Sequence, residues 1–488
     1  MENVLAGAVA ALCAVIAMVA VSALALWLLD AGSVGSPWSL AMTVTAMSVG
    51  GSVTPVAAAS GSEGSGLAGL LGGGLSPSLS GTADAMPLGV SLVGALVLWT
   101  VFSWRMRGSR FGARELFART AGAAAVALFS FLIVAHLAQG VLNMPASAMS
   151  GMRGDDAGSG GLGGGGLDGG GSLGGLLGGD LGERLGGLGE RLGERLGGLG
   201  GGSQSGQAIN YQVQTGSAAL GAVLWVVVVI ALGFLITRRA HLPVRWATSR
   251  LRASWAPSVS AVVRMSLVMT VVPLVVVLFV GVLVGGKTAT AAGAAVLLAP
   301  AAVVVFLTLG LGTSWTASTH QMQSQGGNPL ASLLKLLGGR QSQARPDRVE
   351  HLRDLSVGGL PLWLVAFLVT AVALLACGYA AARAMDQTQP RLSHPHQGRY
   401  GQHLVAAGRL GTVMGVFLGL ASWLVQADGQ ISARMFGSEM GGMHAELSGS
   451  APTAFVLGLV AGAMAGFAGS LLFGLSRGRQ TTSVSSSV

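Results

Sequence analysis

The run "VLAGAVAALCAVIAMVAVSALALWLL" (residues 4–29) contains no charged side chain. A helix needs about 20 apolar residues to cross a bilayer, and this run exceeds that length. It follows Met-Glu-Asn with no basic stretch before it and is longer than the apolar core of a cleaved leader, so it reads as a retained anchor. Eight further apolar segments follow, at 87–104, 120–142, 217–236, 258–285, 290–311, 359–381, 405–425 and 452–475. Composition agrees. The chain of 488 residues is 51% hydrophobic and 10% charged, with mean hydropathy +0.66, where a soluble chain carries about a quarter charged residues. The expected fold class is all-α: a polytopic transmembrane helical bundle of about 8–10 membrane segments joined by Gly-rich flexible external loops.

The stretch "PWSLAMTVTAMSVGGSVTPV" (37–56) is apolar too, but Gly50, Gly51 and Pro55 break it. It reads as a half-helix or re-entrant turn, which survives at membrane depth only where protein or a wet cavity covers its backbone. The expected organisation is N-terminal membrane segments over 1–142, a Gly/Leu-rich low-complexity loop over 143–216, and central membrane segments over 217–311. A connecting loop over 312–356, C-terminal membrane segments over 357–476 and a polar tail over 477–488 complete it.

The net charge of +9 is carried by arginines that cluster beside apolar segments. Arg105, Arg107 and Arg110 follow 87–104; Arg238 and Arg239 follow 217–236; Arg383 follows 359–381; Arg477 and Arg479 follow 452–475. That is the pattern of cytoplasmic flanks, so the partner implied is the lipid bilayer and not nucleic acid. Parity then raises a conflict. If both 258–285 and 290–311 cross, the C-terminal arginines lie on the opposite side from the others. If one does not, all four basic flanks share a side. The arginines of loop 312–356 are balanced by Asp347, Glu350 and Asp354 and do not decide it. The weight falls on 290–311 being re-entrant at Ala299-Pro300.

"LLGG" recurs at 70–73, 176–179 and 336–339, which points either to an internal duplication or to biased composition. The unit LGERLGGL begins at Leu181 and again at Leu192. Its eleven-residue period, about 3.67 residues per turn, puts the leucines on one helical face and the glutamates opposite. Each glycine there costs about 1 kcal/mol against alanine in a helix. The stretch 181–200 therefore reads first as a flexible spacer and second as a helix formed only against a surface.

Chemistry-bearing residues are sparse. No Asp or Glu falls mid-span, which argues against a carboxylate proton relay. Arg264 and Arg409 lie in the first turns of their segments and can snorkel to the interface. His136 lies late in 120–142, either lining a path or sitting at the interface. His394, His396 and His403 share a basic loop without a thiol or carboxylate, and a strand at 437–447 would aim His444 and Glu446 the same way. Neither group makes a metal site. Cys13 and Cys377 fall in apolar runs and read as small hydrophobes. No P-loop, zincin helix or nucleophile–base pair is visible, so no catalytic residue, cofactor or metal is assigned and no enzyme is expected. The functional candidates are Gly50, Gly51, Pro55, His136 and Pro300. Gly458, Gly462, Gly466 and Gly469 share one helix face suited to close packing, within the chain or in a homo- or hetero-oligomer.

"GGSVTP" (50–55), "PLGVSLVGALVL" (87–98), "ARELFARTAGA" (113–123), "RLGTVMGVFLGLASWL" (409–424) and "LLAPAAVVVFLTLGLGTSW" (297–315) together resemble the streptophobe family, very hydrophobic proteins of Streptomyces and relatives. The resemblance spans nearly the whole chain. It implies an actinobacterial plasma-membrane protein and carries over no activity and no site residue. Two functions follow as expectations. The first is a non-enzymatic transporter or channel-like protein, because broken membrane segments are where transporter sites form. The second is an envelope scaffold or assembly partner acting through the Leu/Gly-rich loops.

Overall fold

The computed structural model describes residues 2–33, 35–56, 78–104, 113–143, 208–236, 247–284, 287–322, 348–354, 356–357, 360–388, 399–435 and 438–485. Stretch 181–200, the three LLGG copies, His394 and His396 lie outside them. Among the described residues there are ten α-helices, and the expected helical membrane bundle is what they form: α1 (Glu2–Leu28), α2 (Pro37–Met47), α3 (Leu88–Trp104), α4 (Ala113–Leu137), α5 (Thr215–Ile236), α6 (Ala247–Val284), α7 (Lys287–Gly310), α8 (Leu362–Thr388), α9 (Arg399–Val425) and α10 (Ala451–Ser485). Eight are long and apolar enough to span a membrane, α7 among them; α3, at 17 residues, is the shorter apolar helix.

The connections at one end of this bundle are not simply loops. They form β1 (Val53–Val56), β2 (Ser78–Asp84), β3 (Gly140–Asn143), β4 (Ala208–Val213), β5 (Trp315–Met322), β6 (Arg348–His351), β9 (Ala427–Met435) and β10 (Ser438–Gly449), with a short hairpin of β7 (Ser356–Val357) and β8 (Leu360–Pro361). The eight longer strands pair in a single antiparallel sheet of order β3-β4-β1-β2-β9-β10-β5-β6. The connecting segments expected from sequence therefore carry strands: β4 lies within 143–216, and β5 and β6 lie within 312–356. Within the expected polar tail, α10 continues to Ser485.

The sheet order shows how the chain is built. Its first four strands run β3-β4-β1-β2 and its last four β9-β10-β5-β6. In each half the order is third, fourth, first, second along the chain. The helices follow the same plan, α1–α5 matching α6–α10. The register makes the match residue by residue. α2 and α7 end alike. The Gly50 amide donates to the Met47 carbonyl and Gly51 to Ala46; Gly312 donates to Leu309 and Thr313 to Thr308. Both are Schellman caps, and both need a residue at positive φ, here Gly50 and Gly312 at +97°. Superposing these glycines puts Val53 on Trp315. Their ladder partners are Val213 and Gly449, so two residues back Tyr211 matches Leu447. The partners of those are Gly140 and Ala427. Each is preceded by a glutamine, Gln139 and Gln426, in "LAQG" and "LVQA". Likewise Pro87-Leu88 opens α3 and Pro361-Leu362 opens α8. Among the described residues the chain repeats one arrangement of five helices and four sheet strands, with the β7–β8 hairpin added in the second half. LLGG at 70–73 and 336–339 sits in matching connections, β1–β2 and β5–β6.

The shared sheet also resolves the parity. β4 and β5 belong to one sheet, so an even number of α5, α6 and α7 crosses between them. α5 and α6 flank the arginine stretch 238–252. α7 is the one whose two ends both lie at the sheet end. Near its start, a β-carbon on Gly293 would sit 2.7 Å from the Ala25 carbonyl oxygen and 3.0 Å from Leu28 Cβ, at the end of α1. At its finish, one on Gly310 would sit 2.5 Å from the Ala366 carbonyl oxygen, in the first turns of α8. Between them Leu307 dips into the second-half core with Leu374 and Met414. The re-entrant turn expected at Ala299-Pro300 is not there: α7 runs unbroken from Lys287 to Gly310 through Pro300, and any return rests on its ends and not on a turn at the proline. With α7 returning, α3, the shorter apolar helix, would supply the remaining crossing of the first half, and all four basic flanks would fall at one end of the bundle. Even crossings give the halves the same orientation; the duplication is parallel, not inverted.

Packing follows the same division. Met18, Met42, Val90, Phe131 and Ala222 form a first-half core, and Leu307, Leu374, Leu410, Met414 and Leu418 a second-half core. α7 joins them, with Leu297 against the first and Val303 against the second. The glycine face of α10 is filled within the chain: Gly458, Gly462 and Gly466 lie against α9, and Gly469 against Gly378 of α8.

Candidate functional site

The two halves meet where β2 pairs with β9. Along this junction Asp84 lies opposite Asp428, and Asp428 opposite Glu446 on β10. Directly paired residues share a face of the sheet, so three carboxylates stand in one row. The next row on that face is Thr82, Gln430, His444 and His320. Gln430 Nε2 donates to Thr82 Oγ1 at 3.1 Å across the junction. His444 Nε2 lies 3.7 Å from Asp428 Oδ2 and 3.8 Å from Glu446 Oε2, and its ring centroid is 6.4 Å from that of His320. The alternation expected of 437–447 is present, with His444 and Glu446 aimed together.

Below this face, between the sheet and the ends of α3 and α9, is a cavity of about 280 Å³ lined by Asp84, Met86, Trp423, Gln426, Asp428 and Glu446, among others. Gln426 Nε2 donates to the Gly449 carbonyl at 2.7 Å, which holds the end of α9 against β10. The chemistry is that of an acidic recess, which attracts cations. Among the described residues no group of three or more His, Cys, Asp or Glu side chains is placed to hold a metal ion.

Asp84 and Asp428 are like charges placed opposite one another, an arrangement that destabilises a strand pair. His444 Nε2 stands beside Asp428 and Glu446, across β9 from Asp84. Asp84→Asn should therefore raise stability by about 0.2–1 kcal/mol, most at low salt, where exposed charges are least screened. Thermal unfolding in detergent at low and high ionic strength checks this; a loss of stability on substitution would contradict it.

The residues singled out from sequence fall in two places. Gly50 and Gly51 form the cap of α2, inside the bundle. Thr45 Oγ1 donates to Ser22 Oγ at 3.1 Å, six residues before the end of α1. The half-helix is what the sequence predicts. A β-carbon on Gly50 would lie 3.0 Å from Met86 Cε, so the turn backs directly onto a residue that lines the cavity. Pro55 is in β1, opposite Tyr211. Pro300 is half-buried within α7, one turn beyond Leu297, which packs on the core that holds Val49. His136 is apart from these, exposed in the last turn of α4. Arg264 is exposed, Arg409 Nη1 donates to the Ser254 carbonyl at 3.3 Å, and His403 Nδ1 is 2.8 Å from Ser470 Oγ at the arginine end.

Sequence reasoning missed Asp84, Asp428, Trp423 and Gln426. Asp84 and Asp428 lie in short polar strands within Gly/Ser-rich connections, and the signal for them was alternation, as in "WTASTHQM". The matched glutamines 139 and 426 were the other available signal. No family model matches the chain, and neither a curated protein nor a solved structure matches it.

Proposed function

We propose that this is a non-enzymatic protein of an actinobacterial plasma membrane, of the streptophobe type, that works as an envelope assembly partner through its sheet. The positive-inside pattern places the four basic flanks in the cytoplasm and the sheet outside. One observation carries the reading: the outward connections of both halves join in a single eight-stranded platform. The face described above is polar and acidic over β2, β9 and β10, which suits a partner with basic or hydroxyl-rich groups. Around α2 the core is apolar, and Thr43 and Thr45 bond Ser39, Ala138 and Ser22 within the protein.

The test is co-purification at a fixed ratio. A partner retained by the full chain and by a Cys377→Ala variant, but lost when Thr82 and Gln430 are both replaced by arginine, is the expected result. An unchanged ratio after that double replacement would overturn the proposal.

Transport is the second reading, and a specific observation favours it. Among the described residues, the buried hydroxyls of Ser258, Thr313, Thr370 and Ser422 have no hydrogen-bond partner, and all are in the second half. Unpaired hydroxyls at membrane depth are costly unless water or a passing solute meets them. Solute flux in proteoliposomes, reduced by Thr370→Val, is what this reading requires.

A further inference from the structure

The duplication leaves one contact unrepeated. The junction inside the chain joins the outer edge of β2 to the outer edge of β9. β2 is the last strand of the first half's set of four, and β9 is the first strand of the second's. Their counterparts are β6 and β3. These stand at the two ends of the sheet, and among the described residues nothing pairs with their outer edges. The contact is heterologous: it uses two different surfaces, so making it once inside the chain leaves one copy of each surface over. Heterologous contacts between equivalent units continue until a ring closes or a filament forms. Open strand edges are themselves templates for pairing. Both end strands also carry an exposed valine, Val141 at 43% and Val349 at 47%.

We propose that a second copy of this chain extends the sheet, its β3 edge pairing antiparallel with the β6 edge of the first, by the same contact that joins the two halves. The internal junction fixes the register. Thr82 lies opposite Gln430. Thr316, the counterpart of Thr54, pairs with His351, so His351 is the counterpart of Thr82. Asn143 is the counterpart of Gln430, three residues beyond the matched Gly140 and Ala427. His351 of one copy therefore faces Asn143 of the next. Directly opposed strand residues have Cα atoms about 4.5–5.5 Å apart, within disulfide range.

The experiment uses full-length chains in native membranes with Cys13 and Cys377 replaced by alanine. One tagged chain carries Asn143→Cys, a second, differently tagged, carries His351→Cys, and the two are co-expressed under mild oxidation. A covalent dimer containing both tags, absent when either variant is expressed alone, is the expected result. Thr82→Cys with Gln430→Cys in a single chain must close an internal bond; this control reports that the sheet is intact in each background. With the control closed, three outcomes overturn the proposal. These are no mixed dimer, equal dimers from either variant alone, or an internal bond when Asn143→Cys and His351→Cys share one chain. The first excludes the contact, the second means a symmetric one, and the third means that the sheet closes on itself.

Discussion

Replacing Gly221 by valine is expected to destabilise the protein by about 3 kcal/mol or more, the upper part of the overpacking range. Gly221 lies six residues into α5, against the turn that ends α2, and the position a β-carbon would take is occupied by the Val49 carbonyl oxygen. Neither partner can yield cheaply. Val49 is 5% exposed and belongs to the first-half core, and the turn beside it is fixed by the Gly50 and Gly51 bonds to Met47 and Ala46. A side chain that moved aside would cost little; here the obstacle is backbone inside the membrane, where a displaced carbonyl has no water to bond. The comparison is Gly216→Ala, one turn earlier on α5, where an added β-carbon meets nothing within 4 Å. That change should hold or slightly raise the melting temperature, because alanine favours a helix over glycine. Thermal unfolding of both variants in one detergent decides it, and equal melting temperatures for the two would mean that α2 is not held inside the bundle.

This turn also shows how far the sequence could be read. Gly50, Gly51 and Pro55 mark a break in an apolar stretch, and a break at membrane depth has few structural solutions, so the half-helix was legible. The equivalent turn of the second half was not. The glycine at the end of α7 follows a full-length apolar helix, and length alone makes α7 look like a crossing. Pro300 drew attention instead, yet a proline within a packed helix need only kink it, and the chain turns twelve residues later at Gly312. The sheet was least legible of all. Its strands are short, polar and separated by Gly-rich stretches, and their partners are remote: Thr82 pairs with Gln430. A local pattern cannot announce a pairing that exists only because two copies of one unit stand side by side. Nor could it assemble the acidic row, whose three members come from three strands and from both halves.

The second large effect is all-or-none and tests the parity directly. With the native cysteines replaced, single cysteines at Val141 on β3, Val349 on β6 and Ala445 on β10 should all react with a membrane-impermeant maleimide in intact cells. Each of these residues is exposed. Cysteines at Ser109, between α3 and α4, and at Ser483, beyond the last apolar stretch, should react only after lysis. The discriminating position is Val349. If α7 crosses the membrane, β6 moves to the side of the arginines, and Val349→Cys is protected while Val141→Cys is labelled. A sheet that holds β3 and β6 at its two ends cannot accommodate that split. The lipid offers the sheet no alternative either, because strands with open edges do not persist in hydrocarbon. Labelling of Val349→Cys therefore requires α7 to return to the side it started from. It also requires four crossings in each half, and so a parallel duplication. Protection, in cells that label fully once lysed, would put β5 and β6 on the far side from β1 and β2. That would dissolve the junction row of Asp84, Asp428 and Glu446, since β10 cannot pair with β5 on one side and stay joined through β9 to β2 on the other.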